Sequence, residues 1–240
     1  SLDAKKGEGK AEKAVENAAV AEEKVAEKID FSNVKIEPLF EEMIDFLAEC
    51  GLECVEVACW PKGKAERRYA GVSHIDVDTL DDEKCAHILD YCQKKGVEIS
   101  SLAYYPNTMD PDVEKRTAYI EHLHKLIDAS AKLGVNMITT FIGRDPKKTV
   151  SQNLELVKEI WPPILDHAKE KGVKVAIENC PMLFTEDEWP GGQNLMTTPA
   201  IWRQVFEILD YDNFGINYDP SHFIWQQVDY IRPLYEFKDK

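Results

Sequence analysis

The chain has 240 residues, 44% of them hydrophobic and 30% charged, which is enough to build one domain with a sizeable core. Its net charge of -15 argues against a nucleic-acid partner, because phosphate backbones are bound through clustered Lys and Arg and the basic residues here are dispersed among acids. The apolar runs are too short for a transmembrane helix, and the opening SLDAKKGEGK lacks the apolar stretch of a signal peptide, so a cytoplasmic location is expected.

Residues 1–35 read as a polar N-terminal helix or tail rich in Ala, Glu and Lys. Ala11, Val15, Ala18, Val25 and Ile29 share one face at helical spacing, a stripe too thin to stabilise much by burial. Residues 36–240 read as the structured domain. Phe40, Ile44, Leu47 and Ala48 mark a helix that stops at Gly51, and Cys54–Ala58 follows as a strand. A second helix, carrying Leu89, Tyr91 and Cys92, stops at Gly96 before a strand over 97–104. A third, with Ile120, Leu123, Ile127 and Ala131, stops at Gly134 before a strand over 135–142. Leu154, Val157, Ile160, Ile164 and Leu165 belong to a fourth helical segment, interrupted at Pro162-Pro163 and ending at Gly172, with a strand over 173–178 behind it. Trp202, Val205, Phe206 and Leu209 mark a fifth helix, and Phe214 to Tyr218 the next strand.

A helix ending in Gly, then a short apolar strand, is thus repeated along the chain. Glycine suits the left-handed residue just past a helix, and strands alternating with helices imply a parallel sheet. No Gly-rich phosphate loop follows a strand, which favours a barrel over a nucleotide-binding open sheet. The fold class expected is α/β, of the (β/α)8 type, incomplete, with five or six parallel strands. The six cysteines form no CxxC pair and are read as reduced, mostly buried thiols.

In a parallel barrel the reactive groups project from the C-terminal ends of the strands. The candidates there are Glu56 and Trp60, Tyr104 and Tyr105, Thr140 and Arg144, Glu178 and Asn179, and Asp219 with His222. Glu178 closes the run VKVAI and Asp219 closes FGINY. One such carboxylate alone reads as a cap of the following turn. Two on successive strands, with His222 three residues after the second, suit a divalent ion such as Mn, Zn or Co. The basic stretch Lys64–Tyr69 reads either as a solvated loop or as a clamp over the site. The segment Pro181–Thr198, with Trp189-Pro190-Gly191-Gly192, reads as a lid. His87, His122, His124 and His167 fall inside helices and read as structural or surface residues.

The segments VEVACWP, KAERRYAGVSHIDV, SLAYYPN, TTFIGRD, VAIENCPM, WPGG and NYDPSHFIWQ, spread over Phe40 to Tyr235, resemble the xylose-isomerase-like barrel superfamily. It includes sugar (phosphate) isomerases and epimerases, inosose dehydratases and endonuclease IV-type DNA repair enzymes. The resemblance implies Glu178 and Asp219 as ligands of a divalent metal (Mn, Co, Zn or Mg), with Glu178 also serving as the catalytic acid/base. It implies that His222 contacts substrate or metal, and that Arg67, His74, Tyr104 and Trp60 line the sugar pocket. IDFSNVKIEP is a poor match to the first strand of the family, whose members carry two further strands after Asp219, with a His and a second Glu ligand. The chain is therefore expected to be a truncated barrel whose open edge favours self-association. The activity expected is a metal-dependent isomerase/epimerase acting on a small sugar or polyol by proton abstraction next to a carbonyl. A keto-inositol dehydratase-like enzyme and a non-catalytic sugar-binding remnant are the alternatives. DNA repair is disfavoured by the charge and by the few histidines available to a site.

Overall fold

Strand, helix and cap signals reappear in the computed structural model, which describes residues 40–62, 72–183 and 192–240. The expected N-terminal helix, Arg67 with its basic loop, and Trp189 to Gly191 of the expected lid lie outside the described residues. The described elements run α1 (Phe40–Glu49), β1 (Cys54–Ala58), α2 (Asp82–Lys95), β2 (Glu98–Ala103), α3 (Val113–Leu133), β3 (Met137–Thr140), α4 (Val150–Glu170), β4 (Lys174–Glu178), α5 (Pro199–Ile208), β5 (Phe214–Asn217), and the short α6 (Ser221–Trp225) and α7 (Arg232–Glu236). They belong to a unit spanning Glu37–Lys240. The strands form one sheet in the order β1-β2-β3-β4-β5, every neighbouring pair parallel, as an incomplete barrel requires.

The helix ends follow from local chemistry. Asp81 accepts from the Lys84 amide at the start of α2, Asp112 accepts from the Glu114 and Lys115 amides at the start of α3, and Thr149 with Gln152 closes a capping box on α4. Gly96 and Gly134 adopt the left-handed conformation just past α2 and α3. The expected interruption at Pro162-Pro163 does not occur, since both prolines lie inside a continuous α4. Two proline nitrogens cannot donate, but Leu154, Val157, Trp161, Ile164, Leu165 and Ala168 bury one side of the helix against the sheet. That burial offsets the missing bonds. Of the six cysteines, Cys59, Cys85 and Cys92 are buried as expected, while Cys50 and Cys54 are exposed, and none is in a disulfide. Cys54 opens β1 in phase with the exposed Glu56 and out of phase with the buried Val57.

Strand alternation sorts the side chains into two layers. Val57, Leu102, Ile138, Val175, Ile177 and Phe214 are buried in the layer that packs under the helices. The opposite, inner face is polar and carries Glu56, Ser101, Thr139, Ala176 and Asn217 around a cavity of about 460 Å³. Four strand spacings separate β1 from β5, roughly 19 Å in a flat sheet. Yet Asn217 on β5 donates to the Glu56 carboxylate on β1 at 3.2 Å and to the Tyr105 hydroxyl at 3.3 Å. The sheet must therefore curl far enough for its two outer strands to meet across the interior. Tyr105 donates in turn to Glu56 at 2.6 Å, and Ser101 to the same carboxylate at 3.3 Å.

Removing this brace should loosen the curl without unfolding the helices. Asn217→Ala is expected to cost about 1 kcal/mol, the net worth of a side-chain hydrogen bond. Asn217→Asp should cost more at neutral pH, because it sets a second carboxylate beside Glu56, and should recover on acidification as one of the two takes up a proton. Urea unfolding followed by circular dichroism at both pH values reads this out. Equal losses for the two variants at neutral pH would show that the contact is not made.

Candidate metal centre

The tips of β4 and β5 are brought together by sequence-local devices. Their register sets Glu178 opposite Asn217, so both point to the inner face. Asn179, fully buried, then clasps the backbone of Asp219. Its amide NH2 donates to the Asp219 carbonyl at 2.9 Å, and its side-chain oxygen accepts from the Asp219 amide at 2.7 Å. Asn194, also fully buried, donates to the Glu178 and Cys180 carbonyls, both at 2.8 Å, and holds the loop after β4 from the other side. Asp219 accepts from the Ser221 amide at 2.8 Å, which starts α6. Phe223 is buried and stacks on Trp202, with Tyr218 edge-on to both. With Phe223 anchored inward, His222 is turned to the mouth.

There Nε2 of His222 lies 3.4 Å from Glu178 and 3.5 Å from Asp219. One donor atom from each of Glu178, Asp219 and His222 falls within 4.8 Å of the other two, the one such cluster of metal-type donors among the described residues. Burial pushes the Glu178 carboxyl above its ordinary value. The nearby Glu56 and Asp219 carboxylates push the same way, and His222 opposes them. Asp219 moves in the other direction: burial raises it, but the Ser221 hydrogen bonds and His222 outweigh that and leave it lowered. Two carboxylates and an imidazole converging at a strand end fit the donor preferences of a borderline divalent ion. The two carboxylates are also shifted in opposite directions by their surroundings.

The other sequence candidates are distributed differently. Tyr104 is buried with its ring edge-on to Trp60 and to His122 of α3, in the layer facing the helices. Period-two alternation makes its neighbour Tyr105 the inward tyrosine, and Tyr105 holds Glu56 and packs on Phe141. Burial, and secondarily Glu56, raise the Tyr105 phenol, so it stays a hydrogen-bond donor. Trp60 packs on Tyr104. His74 pairs its amide with the Ala58 carbonyl and lines a separate cleft of about 490 Å³ with Glu41 of α1 and Lys84 and His87 of α2. Arg67 lies outside the described residues. The helix histidines are structural or on the surface: His122 bonds the Cys59 carbonyl, His167 pairs with Asp128 and His87 with Glu41. Asn194 at the mouth carries no motif signal, and Asn217 and Trp225, though inside the string NYDPSHFIWQ, are given no role by it. The position of Asn217, two residues before Asp219 and in phase with Glu178, is the signal that could have found it. A cleft of about 550 Å³ at the N-terminal end of β2 lies at the opposite end of the strands.

A family model, the xylose isomerase-like TIM barrel, matches residues 44–240. The chain belongs to this family. No curated protein sequence matches the chain. Among solved structures, this xylose isomerase-like barrel is similar to the probable 3-DHS dehydratase AsbF of Bacillus anthracis, with 18% identity, a TM-score of 0.64, and coverage of 87% of this chain and 66% of that one. It is also similar to the 3-keto-D-glucoside 4-epimerase YcjR of E. coli, with 16% identity, a TM-score of 0.62, and coverage of 86% and 73%. A third relative is the IOLI protein solved with a zinc atom, with 15% identity, a TM-score of 0.57, and coverage of 80% and 62%. The barrel thus spans just under two thirds of the first of these chains and somewhat less of the zinc-bound one. At these identities the likeness is one of fold. No helix among the described residues is long and apolar enough to cross a membrane.

Two outcomes test the geometry. Asn179→Ala strips two buried backbone bonds from Asp219 and should cost about 1–3 kcal/mol, read as a fall in Tm of about 2–4 °C per kcal/mol. Glu178 has a folded value above its ordinary 4.5, so the folded protein binds the extra proton and loses stability as pH rises between the two values. Glu178→Gln should therefore melt higher than the parent at neutral pH, with the difference closing as pH falls toward the ordinary value. A Tm difference that is the same across that range would mean Glu178 is not held in this electrostatic setting.

Proposed function

We propose that this barrel holds a divalent metal between Glu178 and Asp219 and belongs to a sugar isomerase/epimerase-type enzyme that removes a proton next to a carbonyl. The observation that carries the reading is the convergence of Glu178, Asp219 and His222 at the mouth, with Glu178 raised and Asp219 lowered. The ion, when bound, supplies Lewis-acid polarisation of the carbonyl oxygen. Glu178 is the group to move the proton, because burial and neighbouring carboxylates bring its affinity closer to neutrality. Asp219, kept ionised by the Ser221 hydrogen bonds, is the steady ligand. Tyr105 and Asn217, already donating around Glu56, offer hydroxyl and amide groups to a polyol lying along the inner face. A small sugar or polyol is the substrate class that this polar, acidic lining accommodates, and Mn, Co, Zn or Mg the metals. The same first proton removal serves dehydration of a β-hydroxy ketone. Self-association through the edge of the incomplete sheet is a further expectation.

Mn or Co ions added to the metal-free chain should raise Tm with concentration, by about 2.7 kcal/mol of stabilisation at 100-fold over Kd. Glu178→Gln and Asp219→Asn should each remove that rise. With metal bound, a panel of ketoses in deuterium oxide should exchange the proton next to the carbonyl, and Glu178→Gln should slow the exchange by about 10²–10⁴-fold. Loss of water in place of exchange would identify the dehydratase reaction. Full metal response in both variants, or exchange untouched by Glu178→Gln, would refute the assignment.

A further inference from the structure

The His222 ring has polar neighbours at both of its nitrogens, and together they fix where its proton sits. On one side the Trp225 indole Nε1 lies 3.3 Å from Nδ1, the rings edge-on with centroids 6.4 Å apart. Indole N–H can only donate, so Nδ1 must present its lone pair. A neutral imidazole with its lone pair on Nδ1 carries its proton on Nε2. That is the nitrogen 3.4 Å from Glu178 and 3.5 Å from Asp219. The helical turn makes the pairing local: Trp225 follows His222 by three residues on α6, and the buried Phe223 between them fixes the orientation of the turn.

The geometry points to Trp225 as a positioning residue that keeps His222 as an Nε2–H donor facing the two carboxylates, so that His222 serves the reacting centre as a hydrogen-bond donor and not as a third metal ligand. A metal bound through Nε2 needs the lone pair there, which forces the proton onto Nδ1 and sets it against the indole N–H. The two roles of His222 are therefore mutually exclusive while Trp225 is in place. The exposed position of Trp225, 55% accessible, means that replacing it removes a hydrogen bond without opening the core. This inference rests on reading Glu178, Asp219 and His222 as one centre, but the proton position can be measured without metal, substrate or turnover.

The test is long-range ¹H–¹⁵N correlation on the full metal-free chain labelled at histidine, under alkaline conditions where imidazoles are neutral, with the His222 signals assigned by their loss in His222→Asn. The expected pattern is Nε2–H for His222 in the parent and a mixture of tautomers in Trp225→Phe, which keeps the ring and loses the donor. A cobalt titration followed by its visible absorption should then show tighter binding in Trp225→Phe by several-fold, and that gain should vanish when His222→Asn is added. An Nδ1–H ring in the parent, or a tautomer pattern unchanged by Trp225→Phe, overturns the proposal even where Glu178 and Asp219 still bind metal. Conversely, the expected tautomer shift in a chain that binds no metal would leave the positioning role standing and bring down the metal assignment instead.

Discussion

The register between β4 and β5 governs the mouth of this barrel. With Glu178 paired opposite Asn217, both inner-face side chains arrive at the same height, and the backbone turns toward Asp219 one residue past Tyr218. A slip of one residue would send Glu178 into the apolar layer beneath the helices, where Ile177 now sits. Asn179 secures the register from outside the ladder by spending both ends of its amide on the Asp219 backbone. A shorter hydroxyl side chain could not bond both the amide and the carbonyl in this way.

The polar interior follows from the same alternation, and it determines the electrostatics. Glu56, Glu178 and Asp219 share one space in a chain of net charge -15, so each needs compensating donors. Glu56 takes three, from Ser101, Tyr105 and Asn217. Asp219 takes the Ser221 amide and hydroxyl. Glu178 has the His222 ring at 3.4 Å and lies nearest to the burial that penalises its charge. The leftover repulsion therefore falls on Glu178, which makes it the carboxylate with the least stable charge and the one suited to carry a proton.

Most of the architecture was legible because helix-period and strand segments are separated by Gly at the points where α2 and α3 end, and because strand ends can be read off the apolar runs. Glu178 and Asp219 were legible for the same reason, each being the first acid after such a run. Tyr104 and Tyr105 show the limit of that reading. They are adjacent, equally apolar and equally near a strand tip, and only the phase of β2, set by Ser101 and Ala103 on the inner face, decides that Tyr105 turns inward. The bulge in register between Val55 and Glu56 makes that phase harder still to infer from spacing alone. Pro162-Pro163 shows the converse: the local rule against proline in a helix is sound, but it is outweighed by a buried face with Trp161 at its centre, which a single sequence does not reveal. Asn217 and Trp225 owe their roles to partners 161 and three residues away, and no local pattern encodes the first of these.

Charge balance gives the arrangement of His222 its physical sense. Two carboxylates around a divalent ion are formally neutral, whereas the same pair without the ion repel across a few ångströms. A neutral imidazole turned with its Nε2–H toward Glu178, as proposed, would relieve part of that repulsion in the metal-free chain without adding a full positive charge. With an ion bound as proposed, the same N–H would be free to donate to an oxygen of a bound sugar or polyol. A histidine that had to ligate the metal could not serve in both states. In the proposed arrangement Trp225, by holding the lone pair of His222 on the far side of the ring, would leave the metal to the carboxylates and the hydrogen bond to the imidazole.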